Sequence, residues 1–171
     1  LQCSFKWDHP NTNPASQAEI FFINLRDAGE SMPSESISNV SQRVGVMIAK
    51  RTDGDYELFS TDKESGADSL QVIPKAEIEY DTSNTNWIRF TLKITKTDTA
   101  NRWDLSVTLE SLGQDGLSPP TLITSNTDTS LYDNNIYNDL MYFQFFVYAF
   151  SSPTQISSSF VMDNLRFAPL V

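Results

Sequence analysis

Glu77, Glu79 and Asp81 come nearest in this chain to a spacing that does chemistry. Read as a strand, Glu77-Ile78-Glu79-Tyr80-Asp81 sets three carboxyl groups on one face, because side chains alternate along an extended chain. Retaining cleavage of a glycosidic bond needs an acid/base and a nucleophile about 5 Å apart, which alternate positions supply. Asp81, however, runs into the polar Thr82-Ser83-Asn84, and acids on the wet side of a strand need only water. We read the three as a solvated strand face. The sole histidine, His9, lies in an Asp-His-Pro-Asn loop. A Ser-His-Asp triad would have to use it, and nothing near it has the sharp turn that exposes a nucleophilic serine. One His and one Cys make a poor zinc site. No catalytic residue is assigned, and binding is the expected role.

A binding surface is better represented. In the segment 141–148, Tyr142, Gln144, Phe146 and Tyr148 share one face, and Met141, Phe143, Phe145 and Val147 share the other. The second set is core in character. The first pairs flat rings with polar tips, as a surface that stacks on sugar rings and bonds their hydroxyls requires. Arg43 and Met47, flanking Gly45, extend this face from a neighbouring strand. The alternative is that a long loop, 126–139, covers the rings. Trp87 and Trp103 are read as packing residues rather than sugar platforms.

These side chains must be held by strands, since almost every ordered segment has a period of two. In 87–95, Ile88, Phe90, Leu92 and Ile94 alternate with Arg89, Thr91 and Lys93; in 103–109, Trp103, Leu105, Val107 and Leu109 alternate with Asp104, Ser106 and Thr108. A short polar link joins the two runs into a β-hairpin. Further strands are expected over 1–8, 18–26, 42–51, 55–60, 70–80, 120–124, 140–151 and 158–167, the segment 142–150 being central because it is apolar on both faces. The intervening stretches are rich in Ser, Asn, Asp, Thr, Gly and Pro, the residues of turns. No stretch has a convincing helical period, and 29–40 holds a turn of helix at most. About ten strands with two apolar faces to bury imply two packed antiparallel sheets.

The 171 residues form one domain, 1–171, with no internal repeat or composition break. The strand pattern already running at Leu1 suggests a piece of a longer extracellular protein. A net charge of −10 repels phosphate backbones and anionic lipid heads, so nucleic acid is excluded as a partner. The apolar runs are too short for membrane insertion. Cys3, the single cysteine, alternates with Leu1, Phe5 and Trp7 and is read as a buried, inert thiol.

The run Asn86-Trp87-Ile88-Arg89-Phe90-Thr91-Leu92, a turn, and then Trp103-Asp104-Leu105-Ser106-Val107-Thr108-Leu109 resembles the central hairpin of laminin G-like domains. The ending Phe160-Val161-Met162-Asp163-Asn164-Leu165-Arg166-Phe167 is similar to the closing strand of the same concanavalin A-like superfamily. The resemblance implies an all-β, two-sheet antiparallel jelly-roll sandwich, secreted or at the cell surface. It also implies an acid in the closing strand that ligates a structural calcium ion, here Asp163 with Asn164. Calcium takes about six to eight oxygens, more than one strand supplies, and the oxygen-rich segment 128–139 is the other candidate calcium site. Hydrolases of this fold carry a different acid order from Glu77/Glu79/Asp81. The jelly-roll alginate lyases, similar around Tyr142-Phe143-Gln144 and Tyr148, have a Lys where this chain has Gln144, and a second-strand His that it lacks. The expected function is therefore a non-catalytic carbohydrate-binding or adhesion module whose partner is a polysaccharide or glycan. The alternatives are a self-associating surface-layer or matrix component, and a polysaccharide hydrolase or lyase.

Overall fold

The structure is a computed structural model. It describes residues 1–8, 19–27, 43–81, 84–134, 141–149 and 159–167, and for 19–22, 24–27 and 141–149 the backbone alone. One sheet holds β1 (Gln2–Asp8), β6 (Ile88–Lys96), β7 (Arg102–Ser111), β8 (Thr121–Tyr132) and β10 (Ser159–Arg166), in the order β10-β1-β6-β7-β8. The other holds β2 (Glu19–Asp27), β3 (Gly45–Lys50), β4 (Tyr56–Asp62), β5 (Gly66–Ile73) and β9 (Met141–Ala149), in the order β5-β4-β3-β2-β9. All the pairings between these strands are antiparallel. A single turn of helix, α1 (Lys75–Ile78), follows β5.

The alternation read from the sequence is the burial pattern of the first sheet. Cys3, Phe5 and Trp7 of β1, Ile88, Phe90 and Leu92 of β6, and Trp103, Leu105, Val107 and Leu109 of β7 are buried. They meet Ile23, Val46, Ile48, Tyr56, Leu58 and Ile73 of the second sheet in one apolar cluster. Trp7 and Tyr56 touch edge-on across the sheets, ring centroids 6.3 Å apart. The two sheets thus enclose one core, and removing a ring such as Phe90 would cost about 3–5 kcal/mol.

Three expectations need correcting. The 142–150 segment is not central: β9 lies at the end of its sheet among the described strands. The 70–80 segment is not one strand: β5 starts at Gly66 and stops at Ile73, where Pro74 removes a ladder donor and α1 begins. The 120–124 strand runs on to Tyr132, absorbing residues whose Ser, Asn, Thr and Asp content reads as loop.

Candidate functional site

The second sheet carries the row geometry of the expected sugar-binding face. Gln144 pairs with Asn24, Asn24 with Gly45, and Gly45 with Thr61; Phe146 pairs with Phe22, Phe22 with Met47, and Met47 with Phe59. Tyr148 stands in the row of Ile20, Ala49 and Glu57, and Tyr142 opposite Arg26. Phe145 instead shares the row of Ile23, Val46 and Ser60, which is the core row. Directly paired residues share a sheet face. Tyr142, Gln144, Phe146 and Tyr148 therefore hold register positions on the rows away from the core; their side chains lie outside what the structure describes. Met47, on one of those rows, is only 7% exposed. Arg43, just before β3, forms an ion pair with Asp133 at 3.7 Å.

Asp133 belongs to a polar clasp that closes one end of the two sheets. Its N–H donates to the Asn101 carbonyl at 3.1 Å. Nearby, Asp62 at the end of β4 accepts from the N–H of Glu64 and of Ser65 and the Ser65 hydroxyl on Oδ1, and from the N–H of Tyr132 on Oδ2. Burial pushes the Asp62 carboxyl up, but the Ser65, Tyr132 and Glu64 donors together hold it below the usual aspartate value. The Ser60 hydroxyl donates to Asp128, and Lys63 to the Asn134 side chain. Of the described carboxylates in the oxygen-rich segment, Asp128 thus accepts from the Ser60 hydroxyl and Asp133 is paired with Arg43.

The three acids read as one solvated strand face lie in different settings. Glu77 lies exposed in α1, Asp81 accepts from the Asn84 N–H, and Glu79 is buried. Glu79 Oε1 accepts from Lys50 Nζ at 2.6 Å and from the Tyr56 hydroxyl at 2.9 Å. The three do not share a strand face, and the solvated reading fails for Glu79, because Pro74 and the helical turn break the alternation on which it depends. His9 lies outside the described residues.

Asp163 and Asn164 occupy a bulge. Gln2 pairs with Arg166 and Ser4 with Asp163, so two steps along β1 match three along β10. The extra residue is absorbed at Asn164, which has φ 55° and whose N–H donates to Asp163 Oδ1 at 2.7 Å. Left-handed backbone is tolerated by Asn better than by most side chains. Among the described residues, no three His, Cys, Asp or Glu gather as metal ligands.

The same bulge borders a groove that the sequence reading missed. Its volume is about 320 Å³, and its walls come from β1, β6, β10 and the 112–120 loop. That loop is seated by Gly116, which has φ 75° and lies so close to the half-buried Trp87 that an added Cβ would stand 3.0 Å from Cγ. Trp87 exchanges backbone hydrogen bonds with Leu112 and Gly113, so it packs at the sheet margin, whereas Trp103 is core. Alternation alone marks Gln2, Ser4 and Arg89 as outward, but only the strand order brings them together. No family model, curated protein or solved structure matches this chain.

Proposed function

We propose that this chain is a non-catalytic carbohydrate-binding or adhesion module of a secreted or cell-surface protein, with a concanavalin A-like jelly-roll sandwich as its scaffold. Two five-stranded antiparallel sheets around one core support the scaffold, with first strand β1 beside last strand β10. The observation that carries the binding reading is the row placement of Tyr142, Gln144, Phe146 and Tyr148 away from the core row. The locked state of Glu79 weighs against the hydrolase alternative, since a carboxylate buried against Lys50 and Tyr56 cannot serve as nucleophile at an open cleft. A glycan array on the intact chain tests the proposal, followed by Tyr142→Ala and Tyr148→Ala. Each variant is expected to weaken binding of the array hit by about tenfold or more, as for aromatic anchors elsewhere. Affinity unchanged in both would sink it.

Calcium at Asp163 and Asn164 remains part of this proposal. It predicts that EDTA lowers the melting temperature and that Asp163→Ala removes the effect; identical melts with and without EDTA would dismiss the ion. Self-association is the second reading, favoured by Val161 and Leu165. These stand 49% and 45% exposed on β10, which ends its sheet among the described strands. An end strand with apolar side chains is a template for pairing. Sedimentation of the wild type against Val161→Lys separates the two readings: a concentration-dependent dimer lost in the variant supports association.

A further inference from the structure

The groove over β1 carries chemistry independent of the β9 face. Arg89, Arg166, Gln2, Ser4, Ser118 and Asn164 line it, and its described lining residues include no Asp or Glu. Two guanidinium groups thus stand at a single concavity in a chain of net charge −10; the charge of Arg89 is matched by Glu110, so Arg166 is the cation the groove adds. Arg89 is fixed by a 2.7 Å bond from its Nε to Glu110 Oε2, which holds the Glu110 carboxyl below its usual range and leaves the two terminal nitrogens of the fork outside that bond. Arg166 carries no ion pair among the described residues. The Gln2 amide is oriented by donating to Thr91 Oγ1 at 3.1 Å. The Asn164 bulge is a backbone distortion of the kind that re-aims side chains beside binding sites.

We infer that this groove binds a hydroxylated carboxylate, a uronic-acid residue in chemical class. The arginines engage the carboxylate through paired N–H bonds, and Gln2, Ser4 and Ser118 engage the hydroxyls. Asp163, the register partner of Ser4, stands beside the groove and sets a limit: in EDTA, with no cation on Asp163, a ligand with a second negative charge meets repulsion there. The volume suits a small ligand, since sites for such molecules start at about 300 Å³.

The test is an NMR titration of the ¹⁵N-labelled chain with sodium D-glucuronate and D-galacturonate, against methyl glucoside and acetate. At least one uronate is expected to shift the Ser4, Asn164 and Arg89 Nε signals, with methyl glucoside and acetate each at least tenfold weaker. Arg166→Ala is expected to lose at least tenfold in affinity and Arg166→Lys less, while Lys93→Ala, a control on an exposed β6 charge, binds as wild type. Binding of methyl glucoside or acetate as tight as that of the uronates, shifts mapping elsewhere, or wild-type affinity in Arg166→Ala would each overturn the inference. Tyr142→Ala distinguishes this site from the β9 face, because it leaves the uronate titration unchanged whichever way the glycan array falls.

Discussion

Lys50 Nζ lies 2.6 Å from Glu79 Oε1, and the two side chains are only 5% and 6% exposed. Lys50 ends β3 and Glu79 follows α1, so the pair anchors the helical turn to the second sheet. The Tyr56 hydroxyl donates to the same oxygen, and the Lys50 ammonium stands 5.4 Å from the Tyr56 ring centroid. Removing one member strands the other in a dry site. Glu79→Leu and Lys50→Met alone are each therefore expected to cost about 3–5 kcal/mol. The double change Lys50→Met with Glu79→Leu should cost much less, because neither charge remains. Urea unfolding of the four proteins in the cycle measures this, and equal losses in the single and double variants would refute it.

Asp62 makes the fold sensitive to acid. Its folded pKa lies below the ordinary 3.8 because the donors from Ser65, Tyr132 and Glu64 outweigh the burial that opposes them. For a depressed carboxyl the contribution to stability is present above the unfolded value and is lost as pH falls through the folded one. The clasp should accordingly weaken below about pH 4. Asp62→Asn should cost about 1–3 kcal/mol at neutral pH, and its stability should fall less steeply below pH 4 than that of the wild type. Thermal melts from pH 7 to pH 2 read both effects; parallel curves for the two proteins would assign the acid limb to other groups.

The contrast between the β6–β7 hairpin and Glu79 shows what the sequence made legible. In the hairpin each residue's neighbours along the chain settle its face: Ile88, Phe90 and Leu92 are buried and Lys93 is exposed, because one-sided burial imposes period two. Glu79 obeys a partner 29 residues away, which no local period encodes; Pro74 is the one local signal that the strand ends early. β8 misleads in the opposite direction. Its Thr, Ser, Asn and Asp residues suit an end strand with much exposed surface, and the same residues suit a loop. The groove over β1 was illegible for a third reason. Arg89 and Arg166 share it only because β1 lies between β6 and β10, a property of strand order and not of any segment.

Cys3 should be chemically silent in the folded chain. It is wholly buried, and burial pushes its thiol up to about 11, so almost no thiolate exists at neutral pH. Labelling with a thiol-specific aromatic disulfide at pH 8 is expected to proceed at the unfolding rate and to become immediate in urea. Stoichiometric reaction within seconds under native conditions would contradict the burial.

Gly116 is expected to be intolerant of any side chain. Its φ of 75° is a conformation L-residues rarely adopt, and an added Cβ would meet Trp87 Cγ at 3.0 Å and Cδ1 at 3.2 Å. Rotating the indole relieves little, because the contact reaches the root of the side chain, Trp87 Cβ at 3.4 Å, and the Trp87 backbone is tied to Leu112 and Gly113. Gly116→Ala should cost at least about 1 kcal/mol and lift the 112–120 loop from the sheet margin. Since that loop walls the groove, the same substitution should also weaken uronate binding while leaving Arg166 in place. A lifted loop exposes the Trp87 indole and shifts its emission to the red, read as the difference from a Trp87→Phe protein because Trp7 and Trp103 also emit. Gly116→Ala in a Trp87→Ala background relieves the clash, and there its cost should fall to the φ contribution alone. A penalty undiminished in that background would mean that Trp87 is not what holds the loop.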